Sequence, residues 1–224
     1  LCTQGSPFLQ WQSIAIEQFD PMKPFYQLLP KPSQALCQAM ISNDPVVIRV
    51  TPSRKTKHGD FRRLPDGGFQ ISINKMDNPY RFLITFVHEW AHWKVFQRGG
   101  SFRKPHGPQW RQVFKELMLP YLTNEIFPDS LLKPLAAHMI KPRATLDADS
   151  KLAMALSKFD SDNHKSFIFE LEKGTRFSMP NKKVYVMGGL RRKRYACTEE
   201  QTGRIFLFAS HCKVEVCPDT VQNK

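Results

Sequence analysis

Nothing in the 224-residue chain limits its fold as much as Phe86-Val87-His88-Glu89-Trp90-Ala91-His92, an HExxH pattern late in an apolar run that begins near Tyr80. On a helix, residues four apart stand one turn above each other, so His88 and His92 can offer two imidazoles to one metal ion. Glu89 projects to a neighbouring direction, where it can take a proton without being a ligand. The flanks read as the ends of such a helix. Asn78 suits the N-cap and Pro79 the first helical position, where a missing N–H costs nothing. Gly99-Gly100 closes it. Between them Leu83, Val87, Ala91 and Val95 form one stripe, and Ile84, His88 and His92 the next.

A catalytic zinc takes three protein ligands and keeps one position open. His106 is the first choice for the third ligand, because it lies in a loop beyond a glycine turn and just ahead of a helix start at Pro108. Glu116, on the following helix, is the alternative, as in zinc peptidases that use a downstream carboxylate. The longer signature HExxHxxGxxH is absent, since Val95 and Arg98 stand at its last two marked positions. With a water on zinc, Glu89 can accept its proton and pass it to a leaving amine, which is peptide-bond hydrolysis. Tyr80, Arg111 and His58 are loose candidates for oxyanion stabilisation, and none is assigned.

Along the rest of the chain, prolines 21, 24, 30 and 32 break up the first 45 residues, and Ser33 to Ile41 reads as a short helix stopped at Asn43-Asp44-Pro45. Val46 to Thr51 reads as a strand, Ser53 to Arg63 as a basic loop, and Phe69 to Asn74 as a second strand after an Asp66-Gly67-Gly68 turn. Trp110, Val113, Phe114 and Leu117 give a helix from Pro108 to Pro120, and helical patterns follow at about 128–139 and 148–159. From about Asp160 the pattern changes to short aromatic or β-branched runs. These are 167–169, 176–177, 184–187, 194–197, 204–208 and 214–216, with glycine or proline turns between most of them. The expected fold class is α+β: residues 1–159 as a helical metal domain with a small sheet and a core at about 30–140, then 160–224 as an antiparallel β module. No internal repeat is visible.

A formal charge of +13 and a pI near 9.7 point to polyanionic partners, nucleic acid first among them. Arg191-Arg192-Lys193-Arg194, beside Tyr195 and Phe206, is the candidate contact, with cations for phosphates and rings for bases; such a run also serves as a solvated strand edge. The five scattered cysteines form no disulfide framework, which favours a reducing cytoplasm. Leu1-Cys2 as a lipoprotein remnant is a minor alternative. The apolar runs fall short of a membrane span.

The series Lys55-Thr56-Lys57-His58-Gly59-Asp60-Phe61, Ile71-Ser72-Ile73-Asn74, Asn78-Pro79-Tyr80, HEWAH and Lys104-Pro105-His106-Gly107-Pro108 resembles the SprT-like family, especially its bacterial members. The likeness covers roughly residues 30 to 140. It implies a zincin-like metalloprotease domain with one Zn2+ bound by His88, His92 and His106, Glu89 as the catalytic residue, and protein substrates on or crosslinked to DNA. Many members carry a C-terminal zinc ribbon with paired CxxC motifs, which this chain lacks; Cys197, Cys212 and Cys217 do not have that spacing, even with His211. Two rival readings stay open: a DNA-binding or scaffold protein with a non-catalytic metal site, and a metallopeptidase unrelated to nucleic acid.

Overall fold

The computed structural model of the protein describes residues 22–54, 57–99, 105–161 and 165–218. Leu1-Cys2 and Pro21, Lys55-Thr56, the second glycine of the Gly99-Gly100 turn, the loop from Ser101 to Lys104 and residues 162–164 of the linker lie outside the described residues. The chain is α+β. In order it forms α1 (Lys23–Tyr26), α2 (Gln34–Ile41), β1 (Val46–Thr51), β2 (Gly59–Arg63), β3 (Phe69–Asn74), α3 (Pro79–Gln97), α4 (Pro108–Met118), α5 (Asp129–Ile140) and α6 (Ser150–Ser157). The short strands β4 (Ser166–Phe167), β5 (Arg176–Ser178), β6 (Val184–Val186), β7 (Leu190–Arg191), β8 (Arg194–Glu199), β9 (Ile205–Ala209) and β10 (Lys213–Val216) follow. No helix among the described residues is long and apolar enough to cross a membrane.

The helix α3 is the axis of the larger part. Its cap forms as its sequence predicts: the Asn78 side chain accepts from the Tyr80 and Arg81 backbone N–H groups at 3.1 and 3.0 Å, and Pro79 fills the first position. At the other end Gly99 turns the chain at φ +73°, in the left-handed region that glycine enters freely. Burial reaches further round α3 than the two stripes: Phe82, Phe86 and Trp90 are fully buried along with Leu83, Ile84, Val87 and Ala91. Each of the larger of these side chains contributes about 1.5–3 kcal/mol on leaving water, so packing rather than helix propensity fixes this helix. Its last turn is tied down as well, because Asp44 accepts from Trp93 Nε1, Lys94 Nζ and Gln97 Nε2.

The first sheet has the order β1-β3-β2, with β1 parallel and β2 antiparallel to the central β3. Phe69, Ile71 and Ile73 alternate as expected, and Ile71 and Ile73 are fully buried. The other face of β3 is polar and capped by Arg54, whose guanidinium donates to Asn74 Oδ1 at 2.7 Å and Ser72 Oγ at 3.1 Å. One expectation needs correcting. The stretch read as a basic loop is strand β2 from Gly59 onward, paired with β3 from Gly59↔Ile73 to Arg63↔Phe69. Its charges hid it: Asp60, Arg62 and Arg63 mask a strand that only pairing with β3 completes, and such charges are what an edge strand carries.

The C-terminal strands form a second sheet in which β10 pairs with both β4 and β5, while β8 carries β6, β7 and β9. Two expectations shift here. Residues 168–170 are a 3-10 turn after a two-residue strand, and Leu190–Arg191 is a strand that forms a tight hairpin with β8. This sheet has its own apolar cluster of Ile168, Phe177, Tyr185, Met187, Cys197 and Val214, separate from the cluster around α3. Asp160 joins the two parts, accepting from Asn78 Nδ2 at 2.7 Å and Lys213 Nζ at 2.8 Å. Asn78→Ala removes the cap and the two bonds that Asn78 donates, to the Leu156 carbonyl, which keeps the Phe159 N–H, and to Asp160. The expected cost is about 1–3 kcal/mol, read as a lower urea midpoint at unchanged m-value; a loss under about 0.5 kcal/mol would contradict this account.

Candidate metal centre

Helix α3 places His88 and His92 on one face, and the turn after it returns the chain so that His106 meets them just before α4. The three Nε2 atoms lie 3.1 Å (His88 to His106), 3.2 Å (His88 to His92) and 3.1 Å (His92 to His106) apart. Hydrogen bonds do not account for this triangle. Each nitrogen of a neutral imidazole is either a donor or an acceptor, so three Nε2 atoms can make at most two of the three contacts as hydrogen bonds. A shared ion would account for all three contacts, since nitrogens this close can each lie about 2.0–2.1 Å from a single centre, the usual metal–imidazole distance. The group could hold a metal ion.

The electrostatics agree with that use. Burial, helped by His92, His106 and His138, pushes His88 well below its ordinary value. Burial and His106 take His92 down to about 4, and burial lowers His106 too. At neutral pH the three rings are therefore unprotonated, the form that binds metal. Trp110 backs the whole set. Its ring centroid lies 4.6, 5.5 and 4.8 Å from those of His88, His92 and His106, and its Nε1 donates to the His88 carbonyl. Helical spacing marked Trp110 as a core residue of α4; only the fold reveals it as the wall behind all three imidazoles.

Glu89 lies beneath β2, against Gly59, and lines the same cleft as the three histidines. It is 7% exposed, and the Phe61 backbone N–H bonds its carboxylate. Burial pushes its carboxyl up to about 8, Asp60 adds to the rise, and Arg54, Lys57 and the Phe61 N–H oppose it. A dication at the three histidines would also oppose it. Glycine at position 59 is required by space: a Cβ there would sit 2.6 Å from Glu89 Cγ. Around these groups runs a cleft of about 530 Å³, with Lys57 to Phe61 on one side and Ala144 to Asp147 on the other. At one end His58 Nε2 meets Asp147 Oδ2 at 3.1 Å, and Arg81 donates to Asp147 Oδ1 at 2.9 Å.

The other candidates fall into place around this cleft. Glu116 accepts from Gln112 and Arg98 at the surface and is not part of the group of three histidines. Tyr80 packs against Phe127 and Phe159 rather than lining the cleft. Arg111 donates through Nε to the His106 carbonyl at 3.2 Å, so it holds the third histidine's loop. His58 does line the cleft. Arg191, Arg192, Lys193 and Arg194 are exposed on the β7–β8 hairpin, with Arg192 at φ +55°, and none lines the cleft. Sequence reasoning missed the wall from Ala144 to Asp147 entirely, because no spacing rule brings it back across the site.

No family model, curated protein or solved structure matches the chain. The geometry therefore stands by itself. His106→Ala is expected to lower zinc affinity more than about 100-fold, beyond the range of changes outside the ligand set, whereas Glu116→Ala leaves it unchanged. Competition titration with a chromogenic chelator measures both, and equal affinity of wild type and His106→Ala would remove His106 from the centre.

Proposed function

We propose that the chain is a zinc-dependent endopeptidase of SprT-like type that acts on proteins held on DNA. The observation that carries this reading is the convergence of three neutral imidazoles beside a buried carboxylate at the base of an open cleft. Three nitrogen donors with room for a fourth ligand fit zinc in its catalytic rather than its closed structural form. A helix bearing two ligands, packed under a sheet whose edge strand runs along the cleft, is the arrangement we read as zincin-like.

Zinc in this place supplies a Lewis acid that polarises a carbonyl and makes water acidic enough to react near neutrality. The chain supplies the rest. Glu89, with its raised proton affinity, takes a proton from the attacking water and returns it to the departing amine. Strand β2 pairs only with β3 among the described residues, and its cleft-lining start at Gly59 is where an extended peptide would run alongside it. Trp110 and Arg111 keep the ligands in position. We place the protein in the cytoplasm, in keeping with four described cysteines that are all unpaired.

Zinc-loaded wild type is expected to cut an unfolded protein such as casein, and Glu89→Gln to bind zinc normally while losing at least about 1,000-fold in kcat. Full activity in that variant would sink the mechanism. The DNA half of the proposal rests on the net charge and on the exposed Arg191–Arg194 hairpin. Replacing those four residues by alanine should lower the slope of log affinity against log salt by about 3 on duplex DNA. An unchanged slope in that variant would move the contact elsewhere, and no binding of wild type at low salt would leave a peptidase without a nucleic-acid partner.

A further inference from the structure

A second cavity, of about 540 Å³, adjoins the metal-site cleft and shares His106 and Ala144 with it. Its polar lining consists of Arg111, His138, Lys141, Arg143 and Asp149 besides His106. Three cationic side chains thus face one carboxylate, and that carboxylate is already engaged. Asp149 accepts from His138 Nδ1 at 3.1 Å and from the Leu152 N–H at 3.3 Å. Arg111 commits only Nε, to the His106 carbonyl, and Arg143 bonds the Ala148 carbonyl through one terminal nitrogen. Lys141 has no partner among the described residues, and its side chain is exposed. His138 is 2% exposed, yet its Nε2 is buried with no partner among the described residues. The pocket therefore has an excess of positive charge, with Lys141 and terminal nitrogens of Arg111 and Arg143 uncommitted among the described residues.

We propose that this cavity is a substrate-selecting pocket for an acidic side chain, aspartate or glutamate, next to the peptide bond being cut. The inference rests on the proteolytic reading and adds a preference to it. His106 is both metal ligand and pocket wall, so a residue adjoining the reacting carbonyl is within reach. A carboxylate matches the planar fork of a guanidinium, and Arg111 and Arg143 each have a terminal nitrogen to offer. A nucleic-acid phosphate is the weaker occupant, because polynucleotide backbones follow open basic grooves rather than a cavity beside a cleft.

The test uses the zinc-loaded full chain and peptide pairs that differ only by Glu or Gln beside the scissile bond. The Glu peptide should have a kcat/KM about tenfold higher at low salt, with the ratio shrinking at about 0.5 M salt. The double variant Lys141→Glu, Arg143→Glu should bring the ratio to about one or below. Lys133→Glu, an exposed charge change on α5, should leave it as in wild type. Cleavage without acidic preference, a preference that survives the double variant, or one that Lys133→Glu abolishes equally would overturn the pocket while leaving the peptidase standing. Failure to cut any peptide or casein would overturn the peptidase reading and the pocket with it. If the double variant lost duplex affinity but kept its Glu preference, the pocket would belong to nucleic acid and the proposal would be wrong.

Discussion

Where β2 crosses α3, the backbone of Gly59 runs so close to Glu89 that no side-chain atom fits between them. Much of the site depends on this contact. It fixes the height of the sheet above the helix, brings the Phe61 N–H onto the carboxylate, and shuts out the water that would otherwise keep Glu89 a plain exposed acid. The same helix, one residue earlier and three later, carries His88 and His92 on the adjoining face, so the contact that buries Glu89 also sets the height of the two imidazoles at the cleft. Any side chain at position 59 would have to lift the strand or displace the carboxylate, and either movement reaches the cleft.

A polar group at this depth needs a rigid surround, and α3 has one at each end. Asn78 and Asp160 hold the first turn, while Asp44 gathers Trp93, Lys94 and Gln97 at the last. Between the anchors, Phe25 stacks edge-on to Phe86, and Trp110 lies against Phe114 and the three histidines. The imidazoles are thus oriented by packing before any chemistry is asked of them.

What could be read from the sequence follows from the range of the interactions involved. The caps of α3, the alternation of β3 and the start of α4 at Pro108 are local, and each was legible from a few adjacent residues. The choice between His106 and Glu116 was nearly so, since one lies in a loop and the other on a helix, and Arg98 turns out to hold Glu116 at the surface. Strand β2 was not legible, because Asp60, Arg62 and Arg63 obey the demands of a sheet edge rather than the alternation of a half-buried strand. The wall from Ala144 to Asp147 and the role of Trp110 depend on contacts across many residues, such as Arg81 with Asp147, which no local pattern announces.

The junction at Asp160 carries a consequence for how the protein comes into being. A chain emerging from the ribosome releases α3 and all three histidines well before Asp160, and Asp160 before Lys213. Until then helix α3 starts from an Asn78 with only part of its final bonding, and Asp160, which has Arg81 beside it, gains its lysine partner only from a strand not yet made. Synthesis order and bonding order therefore run in opposite directions here. The small sheet, last to appear, supplies the final partner at the foot of the element that appears early, although the two apolar cores are separate.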